Sequence, residues 1–231
     1  GMCHLDIRRL RFYPERFAQI MKIGLPAGMQ SVIFNISNVL IQSSINSFGA
    51  VAVAGNTAAA NVEGFVYISM NSLYQTTLSF TSQNLGAKQY RRVDGILVRC
   101  MILVILIGVV LGQGAYRLGD PLLHIYSQDP KVIAYGIQRF SVVSVTYFLC
   151  GMMDVGSGVV RGLGYSIMPM LVSMVGACVF RVIWVYTIFA HYHTIPSLYL
   201  LYAFSWTITA AAEIVYFLHC FRKLRLVPET A

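Results

Sequence analysis

The sequence predicts an all-α, polytopic membrane protein with six transmembrane helices, and three observations predict it. Of 231 residues, 57% are hydrophobic and only 11% charged, with a mean hydropathy of +0.65; an ordinary soluble domain carries about 25% charge. Six mostly apolar stretches reach the ~20 residues needed to cross a bilayer, at approximately 24–47, 51–84, 96–117, 136–160, 167–190 and 198–220. The basic residues also segregate to alternate loops. Arg8, Arg9, Arg11, Arg16 and Lys22 precede the first span, and Lys88, Arg91, Arg92 and Arg99 follow the second. Arg161 lies near the end of the fourth, and Arg222, Lys223 and Arg225 follow the sixth. Thirteen of the 17 Lys and Arg residues thus fall on one side, leaving Arg117, Lys131 and Arg139 opposite and Arg181 inside the fifth span. By the positive-inside rule both termini face the cytoplasm of a plasma-membrane protein. The net charge of +8 is then loop charge beside lipid, not a nucleic-acid surface.

The chain divides into a basic linker at 1–23, a six-helix transmembrane lobe at 24–221 and a cytoplasmic tail at 222–231. The opening GMCHLDIRRLRFYPERF is basic and amphipathic, without the short apolar core of a cleavable signal. The first span carries Ser31, Asn35, Asn38, Gln42 and Asn46 at spacings of 4, 3, 4 and 4. At 3.6 residues per turn they share an arc of about 80°. Such a stripe cannot face hydrocarbon; it serves either as interhelical hydrogen-bond glue or as one wall of a polar cavity. Pro26 marks the helix start or a kink.

The second span is long enough to cross the bilayer and project beyond it. Glu63, Tyr67, Met70, Asn71 and Tyr74 share a face of about 100° on it. Rings offer cation–π attraction and a thioether adapts to varied shapes, so such a face suits flat organic cations. Ordinary aromatic packing, with Glu63 bonded to a neighbouring helix, is the other reading. The third span is continuously apolar and structural, and RLGDPLLHIYSQDPK after it reads as an interfacial segment.

The fourth span holds Asp154 among Gly151, Gly156, Gly158, Gly162 and Gly164. A charged carboxylate at bilayer depth costs at least ~2.5 kcal/mol and faces protein or a wet cavity, which makes it a functional candidate. Arg161 shares its face about 10.5 Å along the axis, too far for a direct pair, and reads as an interfacial anchor. Arg181 and Glu213 lie within the fifth and sixth spans and are expected to pair inside the membrane, with one another among the options. Tyr186, Tyr192, Tyr199, Tyr202 and Trp206 read as an interfacial aromatic belt. His191 and His193 are solvated. The five cysteines, Cys3, Cys100, Cys150, Cys178 and Cys220, show no paired or metal-ligand spacing. No phosphate loop, nucleophile elbow or other catalytic constellation appears, so no enzyme and no cofactor are expected. Secondary transport fits best.

The segments IGLPAGMQSVIFNISNVLIQSSINSFG, VAGNTAAANVEGFVY, SQNLGAKQYRRV and VVRGLGYSIMPM resemble the multidrug and toxic compound extrusion (MATE) transporters, over about residues 10–225. The resemblance implies twelve helices in two six-helix lobes around a central cavity, exchanging H⁺ or Na⁺ for cationic or amphipathic drugs. It matches this chain to the second lobe, so that residues 1–23 resemble the linker between lobes. The partner is then an N-terminal six-helix lobe or a second copy. Asp154, in DVGSGVVRG, matches the acid that helps bind the coupling cation, with Na⁺ a candidate ligand. Members with that acid also carry a Glu about eight residues after the proline of the GLP motif. Here that place holds Phe34 beside Asn35, which offers a neutral oxygen and no charge. Asp154, Asn35 and Glu63 are thus the ion-coupling candidates, and Asn38, Gln42, Tyr67, Met70, Asn71 and Tyr74 the substrate-cavity candidates. A flippase for lipid-linked precursors, which would need a basic cavity, and a non-transporting scaffold subunit are the alternatives.

Overall fold

Pro14 opens the first helix, where its fixed φ and missing N–H cost nothing. In the computed structural model, which describes residues 12–225, α1 runs over Pro14–Asn46 and α2 over Ala50–Gly86. With 33 and 37 residues they reach about 50 and 55 Å, well beyond a hydrocarbon core. Between them Gly49 takes a φ of 91°, a left-handed value that glycine adopts without a Cβ clash. Arg91–Arg117 forms α3 and Gly119–His124 the short α4 on the following connection.

Pro130 opens α5 (Pro130–Arg139), and its N-cap Asp129 accepts a bond from the Lys131 N–H at 2.9 Å. A π turn over Phe140–Ser144 leads into α6 (Tyr147–Gly162), and the two halves of this span meet at 44°. Ile167–Tyr192 forms α7, interrupted by π turns at Met174–Val179 and Val185–Phe189. Ile195–Arg225 forms α8.

Six long helical bodies therefore stand where six spans are expected. By length and composition α3, α7 and the 195–222 part of α8 can each cross a membrane, and the bent α5–α6 pair makes a fourth. In α1 and α2 the polar stripes dilute the apolar content. The boundaries shift at both ends: α1 begins ten residues before the expected span, so residues 14–23 are helical, Pro26 lies inside α1, and α8 continues to Arg225. Residues 1–11 and 226–231, with Arg8, Arg9, Arg11 and Cys3, lie outside the described residues.

At the centre stands α6, packed on α2, α3 and α8. Its glycines make that possible. A Cβ on Gly162 would sit 2.6 Å from Thr81 Cβ and 3.1 Å from the Leu78 carbonyl oxygen, inside contact distance of α2. Gly162→Ala should accordingly lower the unfolding free energy in detergent by about 1–3 kcal/mol, the usual cost of overpacking. Apolar clusters surround α6 among the described residues, one around Leu198, Leu201 and Trp206, one around Met70, Val104 and Val155, and one around Val93, Val160 and Phe217.

Candidate functional site

The polar stripe of α1 forms one wall of a cavity of about 860 Å³, lined there by Ser31, Phe34, Asn35, Asn38 and Gln42. It is also interhelical glue, so the two readings of the stripe both hold. Gln42 Oε1 accepts from Asn56 Nδ2 at 3.1 Å, and Asn38 Oδ1 accepts from Arg181 Nη1 at 3.3 Å. Asn35 Nδ2 donates to the Ser31 carbonyl, at 2.9 Å on its own helix. Asn46 does not line the cavity; its Oδ1 accepts from Gln42 at 3.2 Å.

The expected face of α2 splits. Tyr67, Asn71 and Tyr74 line the cavity, whereas Glu63 and Met70 do not. By helical geometry Glu63 and Met70 occupy one edge of the ~100° arc and the other three the opposite edge. Met70, 0% exposed, packs toward Gly108 and Gly151, so it is core and not cavity. Glu63, 2% exposed, accepts from Arg139 Nη2 at 2.7 Å and Nε at 3.1 Å, and from Ser144 Oγ at 3.3 Å. The loop-charge count puts Arg139 on the outer side; the structure turns it inward beside the π turn. Its Nη1 donates to Asn56 Oδ1 at 2.8 Å, and its guanidinium lies 5.5 Å from the Tyr199 and Tyr202 rings. Glu63 is thus half of a buried structural pair, not a carboxylate facing the cavity.

Asp154 does face it. The half-buried side chain lies on the wall with Ser157 and Arg161. Asp154 Oδ2, Ser157 Oγ and Arg161 Nε are buried with no hydrogen-bond partner among the described residues. Arg161 is a cavity residue rather than an interfacial anchor: Nη1 donates to the Tyr74 hydroxyl at 2.8 Å and Nη2 to Gln30 Oε1. As expected from their spacing, Arg161 and Asp154 form no direct ion pair among the described residues.

The expected pairing of Arg181 with Glu213 does not form. Arg181 reaches Asn38 and Ser205, while Glu213, 0% exposed, abuts Gly156 with neither carboxyl oxygen partnered among the described residues. The aromatic belt is half internal: Tyr186 and Tyr192 are exposed, but Tyr199 is buried and Tyr202 and Trp206 line the cavity. Cys100, Cys150 and Cys220 are buried free thiols. No group of three or more His, Cys, Asp or Glu gathers among the described residues.

Sequence reasoning underrates the cavity's arginines. Arg139, Arg161 and Arg181 all reach its wall, and only Arg139 has a carboxylate partner among the described residues.

Known proteins fit this architecture. The MatE family model matches residues 26–187. The probable multidrug resistance protein NorM of Thermotoga maritima is 24% identical over 159 residues, which cover 68% of this chain and 34% of that protein. Two solved structures superpose on nearly all of it. One is a MOP superfamily transporter from Pyrococcus furiosus, described as having a binding pocket of reverse polarity, with TM-score 0.87 at 15% identity. The other is the Vibrio cholerae MATE transporter VcmN, as a D35N mutant, with TM-score 0.84 at 17% identity. They cover 96% and 95% of this chain and 50% of their own. The chain therefore spans about half of the solved transporters and about a third of the curated relative. With six helical bodies around a polar cavity and a family match over most of its length, the chain belongs to the MatE family of transporters.

Proposed function

We propose that the chain is one cavity-forming lobe of an ion-coupled antiporter that exports amphipathic small molecules, with Asp154 as the group that binds H⁺ or Na⁺. One observation carries the reading. Asp154 is a carboxylate on the wall of a cavity between the helices, with one oxygen buried and without a partner among the described residues. A fold keeps an acid in that setting at a cost, and an exchangeable cation is what relieves it. Asn35, on the α1 stripe that lines the same cavity, offers a neutral oxygen. The relatives' names, as multidrug resistance proteins, support export of small organic molecules.

Alternating access couples the two ligands. The ion and the organic molecule each favour one arrangement of the lobe against its partner, and each shifts the population by its differential affinity. The opposing wall comes from a second six-helix lobe or another copy of this chain. Both ends of the lobe face the cytoplasm of the plasma membrane, consistent with the loop charge. In proteoliposomes holding the chain and its partner lobe, an imposed H⁺ or Na⁺ gradient should drive a fluorescent dye across the bilayer. Dye movement indifferent to both gradients would remove the proposal.

A further inference from the structure

We infer that the wall around Arg181 is an anion-binding subsite, so that the exported molecule carries a carboxylate, sulfonate or phosphate on an aromatic body. This rests on the transport reading and names its substrate class. The residue expectation, a flat organic cation held by aromatic rings, meets a cavity of the opposite charge.

Arg181 is 1% exposed and lies on the cavity wall. Its acceptors among the described residues are neutral and distant: Ser205 Oγ at 3.3 Å from Nε, and Asn38 Oδ1 at 3.3 Å from Nη1. Both sit beyond the usual N–H···O range. Its guanidinium lies 4.8 Å from the Tyr202 ring and 5.7 Å from the Phe34 ring. A buried guanidinium is normally matched by a carboxylate, and Arg139 on the same wall shows this fold making such a match with Glu63. At Arg181 no carboxylate within the described residues does so.

Two further features agree. The residue stands between the π turns Met174–Val179 and Val185–Phe189 of α7, an irregularity that often marks functional positions. Arg161 is a second guanidinium without an ion pair among the described residues, held by Gln30 as Arg181 is held by Asn38. Eight residues of α1 separate those anchors, about 12 Å along the cavity. Against these two cations the wall sets one carboxylate, Asp154. A cationic ligand would also find the Tyr202 face taken, since Arg139 and Arg181 both lie on it.

The test is equilibrium binding by fluorescence polarisation to the purified chain, alone and with its partner lobe. The probes are fluorescein, an anion, and rhodamine 123, a cation on the same ring system. Fluorescein should bind at least about tenfold more tightly. Arg181→Gln should weaken fluorescein by about 10- to 100-fold, the worth of one charge-assisted hydrogen bond, and leave rhodamine 123 no weaker. Phe34→Glu, which sets a carboxylate against Arg181, should abolish the fluorescein preference even if Arg181→Gln fails to fold. A preference for rhodamine 123, as when the partner lobe supplies the counter-charge, overturns the inference. So does binding of neither dye, or fluorescein affinity unmoved by both substitutions. Because binding needs no gradient, intact fluorescein binding without gradient-driven movement would sink the coupling reading alone. Gradient-driven movement with a rhodamine preference would sink only this one.

Discussion

Arg139→Met should lower the folding stability of the lobe by about 3–5 kcal/mol, the cost of stripping one partner from a buried ion pair. The guanidinium holds Glu63 through two bonds at 2.7 and 3.1 Å, and both side chains are buried. It also donates to Asn56 on α2 and lies against Tyr199 and Tyr202 on α8. Losing it leaves a carboxylate in an apolar interior with Ser144 as its one remaining donor among the described residues. The pair itself is worth less than the loss suggests, since replacing both charges with apolar groups of similar size is often near neutral. A Glu63→Met, Arg139→Met double variant should therefore recover most of the stability. Denaturant unfolding in detergent micelles measures both. Equal losses in the single and double variants would show that Glu63 is not the group being stranded.

Asp154→Asn should reduce gradient-driven dye movement by about 100-fold or more while gradient-free exchange of dye persists. The substitution keeps the shape of the side chain and removes its ability to ionise, so a cation gains no charge-dependent affinity for it. Coupling is a free energy linking two sites, and 2–3 kcal/mol of it corresponds to roughly 30–150-fold; remove the ion's share and the gradient loses its grip. Asp154→Glu should retain part of the activity. The other positions proposed for the ion do not replace Asp154: Phe34 and Asn35 stand at the α1 wall without charge, and Glu63 is committed to Arg139.

The architecture is readable from local sequence because each helix announces itself over ~20 apolar residues, and the α1 stripe reads correctly because one helix face is a local pattern. The site is less legible because its charges are matched across distance. Glu63 and Arg139 are 76 residues apart. Counting Arg139 as loop charge misses the π turn and the 44° bend that follow it. Arg161 looks like an interfacial anchor until Gln30 and Tyr74, from two other helices, are brought beside it. Met70 and Tyr67 share a helical face by spacing, yet α2 is covered on one side by α3 and α6 and open on the other. Gly108 and Gly151 opposite Met70 are the signal that could have separated them.

If ion binding at Asp154 and substrate binding in the cavity are linked, each ligand changes the other's affinity by the same factor. The direct measurement is the change in bound H⁺ or Na⁺ when fluorescein is added to the purified protein with its partner lobe, followed in weakly buffered solution or with an ion electrode. Fluorescein should change the bound ion count in the wild type and leave it unchanged in Asp154→Asn. The same ion change in both proteins would contradict it.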